Sequence, residues 1–336
     1  MEQKSVLIGM SGGVDSSVAA ALLKEQGYHV IGATMRLWTY SDSCNMKHEG
    51  CCAESAVEDA RRVCDKLGID FYVMNFKDMF KDKVVDYFVD EYIHGRTPNP
   101  CIACNKYLKF DALLKKALAM GIDYVATGHY AKIEKGEDGK YILRASEAVK
   151  KDQSYVLYNF TQEQLAHTLM PLGGYNKDWV RQKAEELGLG VAHKPDSQEI
   201  CFVEDDNYAK FITDYSGYEP KEGDILDVNG NVIGKHRGLI YYTIGQRKGI
   251  GAYGRPMFVM KIDAENNTIT LGEKGMEFSN ELTAYDVNFV SGEFPKENML
   301  ITAKVRYQAP PAAAMLCPQK DGTVKLMFPE PQRAVT

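Results

Sequence analysis

Residues 5–20 read SVLIGMSGGVDSSVAA: an apolar run breaks at a glycine pair and resumes as a helix of small residues. The run Ser5–Met10 lacks the apolar–polar alternation of a half-exposed strand, so it suits a strand covered on both faces, as in parallel sheets. Gly12 and Gly13 permit the tight turn, and Asp15–Gln26 reads as a helix stopped by Gly27. The same alternation continues. His29–Leu37, Asp70–Phe76 and Tyr124–His129 read as strands, and Glu54–Leu67, Lys77–His94 and Asn105–Ala119 as helices. Strand and helix in turn predict an α/β fold, a doubly wound parallel sheet with helices on both faces. In such a sheet ligands gather at the carboxyl ends of the strands.

Beyond Tyr130 the pattern changes. KIEKGEDGKYILRA is a hairpin, and Thr161–Leu169 and Asp178–Leu187 have helical spacing. From Gly223 onward, short strands and glycine turns dominate. The 336 residues leave room for more than one domain, at about 100–200 residues each. We expect an α/β domain over 1–200, a small β-rich central domain over 201–275, drawing on helices from 160–190, and a C-terminal β-barrel over 276–336. No apolar run approaches the roughly 18 residues of a membrane span, and the N-terminus lacks a signal-peptide layout. A cytoplasmic chain with no membrane contact is therefore expected, in which the eight cysteines serve as thiols or ligands rather than as a disulfide framework.

A net charge of −6 argues against indiscriminate binding to nucleic acid but leaves room for a local basic face. Lys235, Arg237, Arg247, Lys248, Arg255 and Lys261 span a stretch with no Asp or Glu, interleaved with Tyr241, Tyr242, Tyr253 and Phe258. Such a stretch reads either as a phosphate-binding surface or as a solvated basic hairpin.

The glycine turn itself offers chemistry. Backbone N–H groups at the start of a helix favour an anion. Ser11, Ser16 and Ser17 add hydroxyls, and Asp15 is placed to hold a cation or cap the helix. The spacing is neither a dinucleotide fingerprint nor a Walker loop. S-G-G-x-D-S resembles the pyrophosphate loop of ATP pyrophosphatases, which cleave ATP to AMP and pyrophosphate. Met35, Gly128 and His129 fall on the same expected rim. A second feature is TPNPCIACNKYLKF, where Cys101 and Cys104 form a C-x-x-C pair before a helix. Metal clip, disulfide, nucleophile and buried filler are all open readings of those thiols alone. A helix beginning at Asn105, with Lys106 and Lys109 nearby, would lower the pKa of Cys104.

GMSGGVDSSVAA, TPNPCIACNKYLKF, ATGHYA, KKDQSYVLY, DSQEICF, YTIGQRKGIG and KVRYQ occur in that order along nearly the whole chain. Together they resemble the tRNA-specific 2-thiouridylases, which place sulfur on C2 of the wobble uridine of tRNA. The resemblance implies an adenine nucleotide alpha-hydrolase-like first domain. It implies ATP, with Mg2+, bound by Gly9, Met10, Ser11, Gly12, Gly13, Val14, Asp15, Ser16, Met35 and Gly128. Cys104 falls on the catalytic thiol and Cys201 on the persulfide carrier, which pair in a transient disulfide. Asn99, Pro100 and Cys101 match the segment facing the target base. His129, Lys151, Asp152, Gln153, Arg306 and Tyr307 match tRNA contacts. The implied partners are the tRNAs for Lys, Glu and Gln and a persulfide relay from a cysteine desulfurase. The family's polypeptide goes on for about two further strands, so the C-terminal barrel is expected to look truncated.

Cys101 departs from the commoner family residue, aspartate. With Cys104 and Cys201 it makes a possible ligand set for a [4Fe–4S] cluster with one open iron. Cys44, Cys51, Cys52 and His48 share one loop, read either as a zinc site or as the ordering loop of a helix start. Cys64 and Cys317 read as core and inert. Two rival readings remain at this point: an amide or amidine synthase of the same nucleotide-loop class, and a tRNA-binding protein without catalysis.

Overall fold

The computed structural model describes residues 3–38, 54–196, 200–203 and 206–334. They divide into two compact units. The first comprises residues 1–86, 100–206 and 288–292 and holds the parallel sheet. Its strands are β1 (Ser5–Gly9), β2 (His29–Arg36), β3 (Asp70–Asn75), β4 (Tyr124–Ala126) and β7 (Thr168–Leu169), ordered β3-β2-β1-β4-β7. β5 (Ala131–Lys135) and β6 (Tyr141–Ala145) form the separate hairpin. All neighbours in the five-stranded sheet run parallel, with Val6 opposite Val30 on one side and Tyr124 on the other. β1 is central, which explains why Val6, Leu7 and Ile8 are fully buried.

Helices α1 (Val14–Glu25) and α2 (Glu54–Leu67) cover the sheet, and α3 (Lys77–Phe80, extended in π register over Lys81–Asp86) follows β3. Next come α4 over 100–119, α5 (Gln162–Ala166) and α6 (Lys177–Glu186). Val14, Val18 and Leu22 of α1 pack in one core with Val63 and Cys64 of α2 and Val180 and Ala184 of α6. Asn176 caps α6, its side-chain oxygen accepting from the Trp179 amide, and Thr161 with Gln164 makes a capping box for α5.

The strand expected over Tyr124–His129 ends at Ala126, the helix expected over Lys77–His94 passes through π register at Lys81–Asp86, and three further elements differ. Residues 168–169, expected to end a helix, add a short strand to the β4 edge. The helix expected over Asn105–Ala119 begins earlier, at Pro100, whose fixed φ suits a first helical position. A helix over Tyr208–Ser216, capped by Asn207, precedes the β-rich part.

The second unit comprises residues 87–99, 207–287 and 293–336. One sheet, ordered β10-β11-β8-β9, contains β8 (Gly223–Leu226), β9 (Val232–His236), β10 (Met257–Asp263) and β11 (Thr268–Glu273). Ile225, Val259, Ile269 and Leu271 form its core. The other is antiparallel, ordered β12-β15-β14-β13, from β12 (Phe278–Ala284), β13 (Met299–Ala303), β14 (Ala312–Pro318) and β15 (Val324–Arg333).

Candidate active site

The carboxyl edge of the parallel sheet collects the residues expected to bind nucleotide. Gly9 closes β1, Met35 is the last residue but one of β2, and Gly128 follows β4. Between them residues 10–13 turn from β1 into α1. Met10 is held to β2, its amide donating to the Ala33 carbonyl at 2.8 Å and its carbonyl accepting from Thr34 Oγ1 at 2.8 Å. Ser16 Oγ accepts from the Ser11 amide at 3.2 Å, and Ser17 Oγ donates to the Gly13 carbonyl at 2.8 Å. The turn is thereby fixed with the first-turn amides of α1 at its mouth, since such amides have no partner within the helix.

Two glycines in it are sterically required. Gly12 has φ +69°, and a Cβ there would lie 2.2 Å from the Ala56 carbonyl oxygen. A Cβ on Gly128 would meet the Ser16 amide nitrogen at 2.7 Å.

Asp15 neither caps α1 nor stands free for a cation, the two roles expected of it. The residue before α1 is Gly13, and no side chain caps that end. Lys177 Nζ donates to both Asp15 carboxylate oxygens at 2.8 Å, and the Tyr130 hydroxyl donates to Oδ1 at 2.7 Å. Burial and the Asp15 charge push the Tyr130 phenol well above its usual range, so it stays a donor. Lys177 also pairs with Asp196 at 2.6 Å, which receives Lys151 at 2.8 Å and Arg181 at 3.2 Å. Burial pushes the Asp196 carboxyl upward, but hydrogen bonds from Lys151 and Lys177 outweigh it and hold the group below 3.8. Lys194 Nζ donates to the Gly12 carbonyl at 3.1 Å and to Asp59 at 2.8 Å.

Lys177, Lys194 and Tyr130 were not among the residues singled out from the sequence. Asp196 opens the DSQEICF motif, which is the one local signal that would have pointed to it.

The thiols occupy different settings. Because α4 starts at Pro100, Cys101 sits in its first turn and is exposed, whereas Cys104 lies a turn further in and is buried. The first-turn position expected to lie beside Cys104 is therefore occupied by Cys101 instead. From Cys104 to Ala112 the helix runs in π register, and Asn105 Nδ2 donates to the Val156 carbonyl at 3.0 Å. Cys201 is half-buried, and its neighbour Phe202 is buried edge-on against Phe80 of α3, with ring centroids 5.6 Å apart. α3 packs in turn against the Cys104 helix. One short helix thus contacts elements adjoining both thiols.

Among the described residues no group of three or more His, Cys, Asp or Glu side chains is disposed to hold a metal ion. Cys101, Cys104 and Cys201 are thus not drawn together as ligands of a single ion. Cys44, Cys51, Cys52 and His48 lie outside the described residues. Burial pushes the Cys64 thiol up to about 12, helped by Asp65, in keeping with a core residue.

The residues matched to tRNA contacts are largely engaged within their own units. Asp152 accepts from the Ser146 amide at 2.9 Å and from Ser154 Oγ at 2.7 Å. Gln153 exchanges two 2.9 Å hydrogen bonds with the Tyr130 backbone. His129 Nδ1 meets Thr127 Oγ1 at 2.7 Å, and its ring lies 5.8 Å from Phe110 of α4. Burial, with the charge of Lys109, holds His129 well below 6.5 and keeps it neutral. Asn99 belongs to the second unit, while Pro100 and Cys101 belong to the first.

In the second unit Arg306 donates to the Ile244 and Ala334 carbonyls at 2.9 Å, and Tyr307 is exposed. The basic stretch there is partly neutralised by acids from outside it: Lys235 pairs with Asp224, Arg255 with Glu273 and Lys261 with Asp263. Arg237 instead lies over the Tyr241 ring at 4.0 Å, on a cleft of about 500 Å³ shared with Lys210 and Tyr208. Arg247 and Lys248 are exposed.

A parallel α/β unit with a glycine turn into a helix at its carboxyl edge, followed by two β-rich sheets, defines a HUP-type domain with appended barrels. Residues 4–205 match the family model described as tRNA methyl transferase HUP domain, 209–273 the tRNA methyl transferase PRC-barrel domain, and 279–336 the aminomethyltransferase beta-barrel domain. Over its full length the chain is 58% identical to the tRNA-specific 2-thiouridylase MnmA of Acetivibrio thermocellus, covering 94% of that protein. It is 57% identical to the enzyme of the same name from Clostridioides difficile, over 99% of this chain and 92% of that one. The chain belongs to the tRNA-specific 2-thiouridylase family. A crystal structure of a 4-thiouridine synthetase–RNA complex with bound ATP aligns over 63% of this chain and 50% of the other, at 16% identity and a TM-score of 0.38, too slight a likeness to bear on function.

Proposed function

We propose that this chain, a tRNA sulfurtransferase by family, uses ATP to replace the C2 oxygen of the wobble uridine with sulfur carried on Cys201. The C2 oxygen attacks the α-phosphate of ATP, and pyrophosphate leaves toward the loop at residues 11–16. That step converts a poor leaving group into AMP. In the direct route the terminal sulfur of a Cys201 persulfide attacks C2, and AMP departs with the original oxygen. The Cys104 thiolate then attacks the Cys201 sulfur, freeing the 2-thiouridine and forming a Cys104–Cys201 disulfide. Alternatively, Cys104 attacks first and releases hydrosulfide, which attacks C2. Either way an external two-electron thiol reductant must reopen the disulfide. Mg2+ would enter with the nucleotide, held by its phosphates, because Asp15 is occupied by Lys177 and Tyr130 and Ser16 Oγ by the Ser11 amide and the Gly13 carbonyl. It would neutralise phosphate charge.

The target base must leave its stack, which costs roughly a few kcal/mol and less in an anticodon loop. Substrates on this reading are the tRNAs for Lys, Glu and Gln, and the sulfur comes through a cysteine desulfurase relay. On this reading the sulfur travels as a persulfide rather than on a cluster.

The observation that carries the proposal is the packing of α3 against both the Cys104 helix and Phe202, beside Cys201. Mass spectrometry of the wobble nucleoside after incubation with ATP, tRNA and a persulfide donor tests it. Wild type should yield 2-thiouridine, and Cys104→Ser and Cys201→Ser should each lower the yield by about 100-fold or more, as expected for loss of an essential nucleophile. Full turnover in either variant removes that thiol from the mechanism.

A further inference from the structure

Asp196 lies five residues before Cys201 and is the meeting point of three cations, Lys151, Lys177 and Arg181. Lys177 is shared: its ammonium spans Asp196 at 2.6 Å and Asp15, in the nucleotide loop, at 2.8 Å. Lys177 itself is only 12% exposed, so its two pairs are partly shielded from water. Arg181 additionally donates to the Ala192 and Lys194 carbonyls at 2.9 and 3.2 Å. Residues 192–196 are therefore fastened to the nucleotide loop twice, once by Lys194 on the Gly12 carbonyl and once by the Lys177 bridge. On the far side of Cys201, Phe202 is fastened by a different force, aromatic packing on Phe80.

We propose that Asp196 and Lys177 are positioning residues that tie Cys201 to the nucleotide loop, so that phosphate at the loop is felt at the Cys201 thiol. The inference rests on the reading of residues 11–16 as the site of ATP. Two carboxylates face three cations here, leaving one net positive charge. A triphosphate beside Asp15 competes for Lys177. Asp196 keeps Lys151 and Arg181, so the exchange shifts Asp196 relative to the loop without stranding its charge. Neither residue touches the reacting atoms in this scheme. They act through where Cys201 stands.

The test uses the full-length protein and reads the alkylation rate of Cys201 by peptide mass spectrometry. A non-hydrolysable ATP analogue is present at saturation or absent, and Cys317, half-buried in the second unit, serves as internal reference. In wild type the analogue should change the Cys201 rate relative to Cys317 by about fivefold or more, the lower end of ordinary coupling between sites. In Asp196→Asn the analogue should still bind, but the response should fall below about twofold, and Asp196→Glu should restore part of it. Lys177→Gln removes the same link from its other end and carries the test if Asp196→Asn loses its fold. Lys151→Met, which leaves the bridge intact, should retain the response.

A nucleotide response that survives intact in Asp196→Asn or Lys177→Gln overturns the inference, as does a wild-type thiol indifferent to bound analogue. Failure of the analogue to bind wild type overturns the nucleotide reading and the inference together. Conversely, a wild type that shows the response yet forms no 2-thiouridine retains the inference and loses the proposed reaction.

Discussion

At position 12 the backbone is left-handed, and the first turn of α2 closes over the space a side chain would fill. Either condition alone selects glycine; together they leave no route for accommodation, because the opposing atom is a backbone carbonyl. Gly12→Ala should therefore weaken ATP binding by about tenfold or more, since about 1–2 kcal/mol of left-handed strain adds to the clash. Calorimetric titration with the analogue measures this, and unchanged affinity would show that the turn is not the phosphate cradle. The requirement for glycine was legible in the sequence because a strand-to-helix turn has few solutions. The partners of Asp15 were not. Lys177 lies 162 positions away, and nothing local to it announces an ion pair with the loop. The thiols divide the same way: the motif marked Cys104, but its burial depends on where α4 begins. That start is set by Pro100, four residues before it.

Strand β4 and helix α4 meet around His129, whose ring is partly buried between Thr127 and Phe110. Its folded pKa lies below the unfolded value near 6.5, so the unfolded chain binds the extra proton first. Stability should then fall as pH drops below 6.5, by at most about 1.4 kcal/mol per unit, until the folded pKa is reached. His129→Gln, which can still bond Thr127, should flatten that slope in urea titrations at pH 5 and pH 7. An unchanged slope would place the proton uptake elsewhere. The parallel sheet that frames this junction was readable from continuous apolar runs and glycine stops. The π register of Cys104–Ala112 was not, because a one-residue change in helical bonding leaves the apolar spacing nearly as it was. Residues 168–169 escaped notice because so short a strand carries no periodicity of its own.

The whole molecule carries a charge of −6 while its family acts on tRNA. The basic stretch at 235–261 looked like the remedy, yet three of its side chains are matched by Asp224, Glu273 and Asp263. Sequence order hid this, since Asp224 and Glu273 arrive from neighbouring strands β8 and β11. Arg237, exposed over Tyr241, is a better candidate for phosphate contact than Lys235. Arg237→Gln should reduce the slope of log affinity for tRNA against log salt by about 0.7–0.9, one phosphate contact, while Lys235→Gln should change it less. Equal slopes for wild type and Arg237→Gln would remove the cleft from the RNA surface.

The lysine shared by two carboxylates also bears on how such chains diverge. Neutralising position 177 alone would leave Asp15 with the Tyr130 hydroxyl as its remaining donor, and neutralising position 196 alone would leave its basic neighbours facing one another. Viable lineages should therefore change positions 15, 177 and 196 jointly or not at all, a pattern of correlated substitution that could be sought without any experiment on the protein.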